Sequence, residues 1–124
     1  MESIGLVIVS HSKHIAEGVV ELISKVAKDV PITYVGGTER GGIGTSFDQV
    51  DRVVSENPAD TLLAFFDLGS AKMNLKMVTD FSDKSIIINR VPIVEGAYNA
   101  AALLQAGAEL SVIQTQLAEL EINK

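Results

Sequence analysis

An uninterrupted apolar run that breaks abruptly into polar residues constrains the fold of this chain most. The run occupies residues 4–9 (IGLVIV), and Ser10, His11 and Ser12 follow it directly. A second run at 60–66 (DTLLAFF) likewise ends at a polar residue, Asp67. Continuous apolar runs of this length are typical of strands covered on both faces, and a helical pattern follows each of them. Each run therefore predicts a strand-turn-helix unit of a parallel α/β sheet.

Helical periodicity and turn residues complete the predicted fold. In chain order we predict a strand at 4–9, a helix at 13–28 capped by Ser12, a strand at 30–35, a helix from about 45 to 57, a strand at 60–66, a helix at 71–79 capped by Ser70, a strand at 85–89, and helices at 95–106 and 109–120. In the third helix, Met73, Met77 and Val78 are assigned to the core. Four strands that each precede a helix predict a doubly wound, mainly parallel, three-layer α/β/α fold. With strand order 2-1-3-4, the carboxyl ends of strands one and three are neighbours.

Composition narrows the possible functions. Hydrophobic residues make up 47% of the 124 residues, which is enough for one buried core, so we expect a single domain over 1–124. Ten basic and sixteen acidic residues give a net charge of −6, the wrong sign for a surface that binds nucleic acid or anionic membranes. No apolar run approaches the ~20 residues of a membrane-spanning helix, and no signal-peptide pattern is present. We therefore expect a soluble, cytoplasmic protein; the lack of cysteine is consistent with this and excludes disulfides.

His11 and Asp67 are the candidate catalytic pair, because both directly follow strands that are neighbours in the predicted order. A neutral imidazole is a good nucleophile toward phosphorus if its attacking nitrogen is unprotonated and the ring is held in one tautomer. A carboxylate holds the other ring nitrogen and stabilises the developing charge. The N–H groups and hydroxyls predicted to surround a phosphoryl group belong to Ser10, Ser12, Gly69 and Ser70. The chain has two histidines and no cluster with metal-ligand spacing, so no metal or other cofactor is expected.

Each of these residues also has a simpler interpretation. A single histidine after a strand is commonly a turn or capping residue, and Asp67 alone would serve as a helix cap. Their pairing at adjacent strand ends favours the catalytic interpretation. His14 falls in the first turn of the first helix on a solvated face, and no chemical role is assigned to it.

The glycine-rich segment 36–47 (GGTERGGIGTSF) does not match a nucleotide-binding loop. Gly37 and Gly42 have the spacing of a P-loop, but Ile43 stands where the lysine is required, and the third glycine of a dinucleotide motif is absent. A mobile turn and a functional loop both remain possible. Arg40 within it is either a phosphate or partner contact or an exposed loop arginine.

Four short motifs together resemble a known family. They are IVSHS at 8–12, GGT at 36–38 with GIGTS at 42–46, FDLGS at 66–70 and PIVEGA at 92–97. They are similar to the phosphoryl-transfer subunits (DhaM) of the phosphotransferase-dependent dihydroxyacetone kinase and, more broadly, to the mannose-type IIA domains of the sugar phosphotransferase system. The resemblance covers essentially the whole chain. It implies that His11 is the phosphorylated histidine, Asp67 its carboxylate partner and Ser70 a hydroxyl beside the site.

The same resemblance implies an activity and partners. The phosphocarrier protein HPr would donate the phosphoryl group, and ADP bound to the nucleotide-binding subunit DhaL would accept it. The resulting ATP would phosphorylate dihydroxyacetone on a third subunit, DhaK, and the family implies a homodimer. This chain departs from the family at two points. No HPr-like or enzyme-I-like domain is found, so we expect a separate carrier. Residues 109–120 predict a helix, whereas mannose-type relatives have an antiparallel strand near the C-terminus.

A signalling receiver domain is the main competing function, since it shares the start of the 2-1-3-4 sheet and would be phosphorylated on Asp67. Receivers hold magnesium with an acidic pair after strand one, where this chain has Ser10 and His11, and they need a fifth strand bearing a lysine. A flavin or small-ligand module is disfavoured by the lack of aromatic residues near the strand ends.

Overall fold

A computed structural model, which describes residues 3–124, contains one parallel sheet with the strand order β2-β1-β3-β4. The elements are β1 (Ile4–Ser10), α1 (Lys13–Ser24), β2 (Ile32–Gly36), α2 (Phe47–Glu56), β3 (Thr61–Phe66), α3 (Gly69–Phe81), β4 (Ser85–Asn89), α4 (Ile93–Gln105) and α5 (Leu110–Ala118). Helices α1, α4 and α5 cover one face of the sheet, and α2 and α3 cover the other. The predicted fold class and strand order are confirmed.

The two central strands are buried on both faces. Alternate side chains of a strand point to opposite sides, so Leu6 and Ile8 of β1 pack with α1, α4 and α5, while Val7 and Val9 pack with α2 and α3. All four side chains are fully buried. A strand enclosed in this way needs apolar residues at every position, which explains the continuous runs in the sequence.

Several helix ends differ from the predictions. Ser12 caps α1 as predicted, accepting from the Ile15 N–H at 3.4 Å, but α1 ends at Ser24, four residues early, and a turn follows. Helix α4 begins directly after Pro92, two residues before the predicted start. The assignment of Ser70 as the cap of the third helix is wrong. Helix α3 begins at Gly69, so Ser70 lies inside its first turn, and its hydroxyl makes a hydrogen bond with His11.

The placement of Met73 and Met77 in the core is also wrong. Helix α3 turns Ala71, Leu75 and Val78 toward the sheet, and all three are buried. A helix can present only one such stripe to a flat sheet. Met73 and Met77 lie outside that stripe and are 67% and 46% exposed.

The segment after α4 is helical, as predicted. Ile113 and Leu117 of α5 are buried in the core beside α4. Among residues 3–124, no helix has the length and apolar character needed to cross a membrane.

Gly36, at the end of β2, lies against the turn between β1 and α1. A Cβ atom added there would be 2.4 Å from the Ser12 carbonyl oxygen and 2.7 Å from Lys13 Cα. Both neighbours are backbone atoms, so neither can rotate away. The turn that carries His11 is therefore packed directly on a glycine.

We expect Gly36→Ala to lower the free energy of unfolding by about 1–3 kcal/mol, because the added methyl group forces the two backbone segments apart. Gly18→Ala is the matched control, since a Cβ at this exposed position in α1 meets nothing within 4 Å. The control should raise stability by about 0.5–1 kcal/mol, the usual advantage of alanine over glycine in a helix. Urea unfolding followed by circular dichroism measures both, and equal stabilities would contradict the packing argument.

Candidate functional site

The site forms where β1 and β3 end side by side. Parallel pairing places Val9 opposite Phe66, so the polar residues that follow each strand emerge next to each other. His11 and Asp67, which are 56 positions apart in the chain, meet there. The structure thus brings together the two residues that the sequence proposed as a pair.

The Asp67 carboxylate accepts hydrogen bonds at both of its oxygens. Oδ1 accepts from His11 Nδ1 at 2.9 Å and from the Leu68 N–H at 2.7 Å. Oδ2 accepts from the Ser10 hydroxyl at 2.6 Å and from the His11 N–H at 3.0 Å. The side chain is only 12% exposed. The surrounding donors therefore fix the carboxylate in one orientation.

These donors also keep Asp67 ionised. Burial raises the pKa of the Asp67 carboxyl, but the hydrogen bonds from Ser10, His11 and Leu68 lower it further than burial raises it, so the pKa lies below its usual value. An ionised carboxylate only accepts hydrogen bonds. The hydrogen atom between Asp67 and His11 is therefore carried by His11 Nδ1.

This assignment determines the tautomer of the neutral His11 ring. With the proton on Nδ1, the lone pair is on Nε2, which lies 2.5 Å from the Ser70 hydroxyl oxygen. Ser70 then donates to Nε2, and Ser70 itself is exposed. The nitrogen with the lone pair therefore lies against the exposed Ser70, while the other nitrogen is held by a fixed negative charge.

The other predicted phosphoryl-binding residues surround this pair in different ways. Ser10 is buried. Its hydroxyl donates a hydrogen bond to the Asp67 carboxylate and accepts one from the Ser12 N–H at 3.0 Å. The Ser12 hydroxyl caps α1. Gly69 and Ser70 occupy the first turn of α3, where backbone N–H groups lack helical partners. Thus the hydroxyl of Ser70 reaches Nε2, and that of Ser10 contacts the carboxylate.

The glycine-rich segment is attached to the turn that carries His11. The Gly44 N–H donates to the His11 carbonyl oxygen at 2.9 Å, and the Gly37 N–H donates to that of Ser10 at 3.1 Å. Both glycines have positive φ, 79° at Gly37 and 140° at Gly44, which other residues adopt only with strain. Asn74 of α3 also donates to the Thr45 hydroxyl at 2.8 Å. The segment therefore supports the site through its backbone, and Arg40 is exposed.

Sequence reasoning missed Lys124. Its Nζ donates to the Phe66 carbonyl oxygen at 2.5 Å and to that of Asp67 at 3.3 Å. No motif marks this lysine, because its position depends on the path of the chain after α5. His14, by contrast, lies on the solvated face of α1 as expected, with its side chain 94% exposed. Among residues 3–124, no group of three or more acidic, histidine or cysteine side chains is arranged to hold a metal ion.

Comparison with known proteins identifies the family. Residues 5–114 match the family described as PTS system fructose IIA component, EIIA-man. The chain belongs to the EIIA-man family. The resemblance noted in the four sequence motifs is thereby confirmed.

Two curated relatives match this chain over nearly its whole length. The PTS-dependent dihydroxyacetone kinase phosphotransferase subunit DhaM of Lactococcus lactis subsp. lactis (strain IL1403) is 54% identical over 120 residues, covering 97% of this chain and 98% of that protein. The PEP-dependent dihydroxyacetone kinase 1 phosphoryl donor subunit DhaM of Listeria innocua serovar 6a is 50% identical over 118 residues, covering 95% of each chain.

Two solved structures share the fold. The crystal structure of the unknown function protein EF1359 has a TM-score of 0.84 at 26% identity and covers 98% of this chain and 97% of its own. A sigma-54 interaction domain protein from Enterococcus faecalis has a TM-score of 0.72 at 11% identity, covering 95% of this chain and 90% of its own. The second likeness concerns the fold alone.

The lowered pKa of Asp67 predicts a pH-dependent contribution to stability. Because the folded-state pKa lies below the unfolded value of about 3.9, the ionised carboxylate stabilises the fold fully above about pH 5. That contribution is lost as the pH falls through the folded-state pKa. We expect the stability difference between the wild type and Asp67→Asn to be smaller below about pH 4 than above about pH 5. Urea unfolding at each pH measures it, and an equal difference at all pH values would contradict the assignment.

Proposed function

We propose that this chain is a phosphohistidine carrier, the phosphotransferase component of a phosphoenolpyruvate-dependent dihydroxyacetone (glycerone) kinase. It accepts a phosphoryl group from phospho-HPr on His11 and passes it to ADP bound on the DhaL subunit. The ATP formed there phosphorylates dihydroxyacetone on DhaK. One observation carries the proposal: the Asp67 carboxylate fixes the His11 tautomer and leaves the Nε2 lone pair on the side of the exposed Ser70. The names of the two curated relatives described above support the substrate.

In the acceptance step, Nε2 attacks the phosphorus atom carried by phospho-HPr. The bond between phosphorus and the donor atom of HPr breaks as the bond to Nε2 forms, and the electron pair of the broken bond stays on the donor atom. Nδ1 keeps its proton and its hydrogen bond to Asp67, whose negative charge stabilises the positive character on the ring. No proton needs to leave His11 during the transfer.

The first turn of α3 supplies donors for the transferred group. Ser70 releases Nε2 as the phosphorus approaches, and its hydroxyl becomes free to donate to a phosphoryl oxygen. The N–H groups of Gly69 and Ser70 at the helix N-terminus add partial positive charge. Ser10 acts indirectly by holding the Asp67 carboxylate.

In the donation step, a terminal phosphate oxygen of ADP attacks the same phosphorus. The Nε2–P bond breaks, its electron pair returns to the ring, and neutral His11 is restored. We propose that residues 1–124 perform both steps as one domain, in the cytoplasm and as a homodimer. The family match over residues 5–114 supports the assignment of one domain.

The receiver alternative, with Asp67 as phosphoacceptor, is disfavoured by geometry. Each carboxylate oxygen already accepts two hydrogen bonds. A nucleophilic carboxylate would first have to break several of these contacts.

We expect His11→Ala to abolish labelling from phosphoenolpyruvate, enzyme I and HPr while leaving the fold intact, because His11 contributes little to the core. His14→Ala, which changes the exposed histidine of α1, should label as the wild type does. Mass spectrometry locates the phosphate. The wild-type adduct should be labile to acid and stable to base, as a P–N bond is; a base-labile adduct retained in His11→Ala would support the receiver function instead.

Asp67→Asn should slow labelling without abolishing it. The amide can present either oxygen or NH₂ to the ring, so both tautomers become populated and the stabilising charge is lost. Loss of such a charged hydrogen bond is worth about 1.5–3 kcal/mol, a rate decrease of roughly 10- to 100-fold. Timed labelling at fixed HPr concentration measures this, and a wild-type rate in the folded variant would show that Asp67 only orders the turn.

A further inference from the structure

The segment after α5 is attached to the edge of the sheet where the site lies. The Ile122 N–H donates to the Arg90 carbonyl oxygen at 2.8 Å, and the Arg90 guanidinium pairs with Glu121 at 3.3 Å. Lys72 of α3 donates to the carbonyl oxygen of Lys124 at 3.3 Å. These contacts join the segment to the loop after β4 and to α3.

They place the Lys124 ammonium at the end of β3. Nζ donates to the carbonyl oxygens of Phe66 and Asp67, and it lies 4.3 Å from the centre of the Phe66 ring. Pairing between β3 and β4 ends at Phe65 and Asn89, so both carbonyls lie beyond the β4 ladder. A buried backbone carbonyl needs a partner, and an ammonium group makes a strong, charge-assisted one. The Lys124 ammonium therefore supplies the hydrogen-bond donors that a neighbouring strand would otherwise provide at the end of β3.

The charge of Lys124 is also close enough to interact with Asp67. Burial lowers the pKa of the Lys124 ammonium, and the negative charge of Asp67 partly offsets this. A phosphoryl group on His11 would add about two negative charges next to that carboxylate. In a chain with a net charge of −6, a cation fixed at this position reduces the repulsion.

We infer that Lys124 is a positioning residue for phosphoryl transfer. Its ammonium holds the carbonyls of Phe66 and Asp67, so that the Asp67 carboxylate stays on His11 Nδ1, and its charge favours the phosphorylated state. The inference rests on the proposed function and adds a residue to it. The Lys124 side chain contacts neither the His11 ring nor the transferred group, and it acts through Asp67.

Lys124→Gln tests the inference, with Lys76→Gln as the matched control, because Lys76 is an exposed lysine of α3. We expect Lys124→Gln to slow labelling by phospho-HPr by about tenfold and to shift the phosphoryl equilibrium toward HPr. Lys124→Arg, which keeps the charge and can still donate to carbonyls, should recover most of both. Wild-type rate and equilibrium in Lys124→Gln would overturn the inference, and so would a failure of Lys124→Arg to recover either quantity.

A second readout needs no phosphate donor. In ¹⁵N NMR spectra of the unphosphorylated protein, the two ring nitrogens of His11 report its tautomer. We expect the protonated Nδ1 form in the wild type and in Lys76→Gln, and a mixture in Lys124→Gln. A wild type that accepts no phosphate would refute the proposed function, and this spectrum would still decide whether Lys124 positions Asp67. Unchanged His11 resonances in Lys124→Gln would refute the positioning role.

Discussion

The hydrogen-bonded Asp67 carboxylate is the interaction on which the rest of the site depends. Its two oxygens connect the end of β1, through Ser10 and His11, to the end of β3. Because the donors outweigh burial, the group remains charged although it is largely enclosed. That charge decides which nitrogen of His11 carries the proton. The chemistry at Nε2 is therefore set by contacts made on the opposite side of the ring.

Much of this arrangement could be predicted from the sequence, because it follows from strong and general constraints. Apolar runs with no alternation identify strands covered on both faces, and parallel order 2-1-3-4 makes the ends of the first and third strands neighbours. The pairing of His11 with Asp67 needed no further information. Sequence reasoning failed where local preference competed with tertiary contacts. Serine is a common capping residue, but the Ser70 hydroxyl makes a hydrogen bond with His11 instead. Met73 is apolar, but it lies outside the buried stripe of α3.

The net charge of this chain is −6, so its overall electrostatic potential does not attract anions such as phosphate. Its polar donors at the site are instead local and fixed: a serine hydroxyl beside Nε2, the N-terminus of α3, and an ammonium at the end of β3. Donors held in place by the fold need little reorganisation when charge arrives. The glycine-rich segment has a similar effect on the backbone, because Gly44 and Gly37 hold the carbonyl groups of the His11 turn.

The 56-residue separation between His11 and Asp67 has a consequence for the folding of the protein. The carboxylate reaches the imidazole when β3 pairs with β1, which closes a loop that contains α1, β2 and α2, and closing a long loop costs entropy and slows folding. A nascent or partly unfolded molecule contains the histidine without the charge that selects its tautomer. The Nδ1-protonated ring is consequently a property of the paired β1 and β3 strands, and its NMR signature is a local reporter of that long-range pairing.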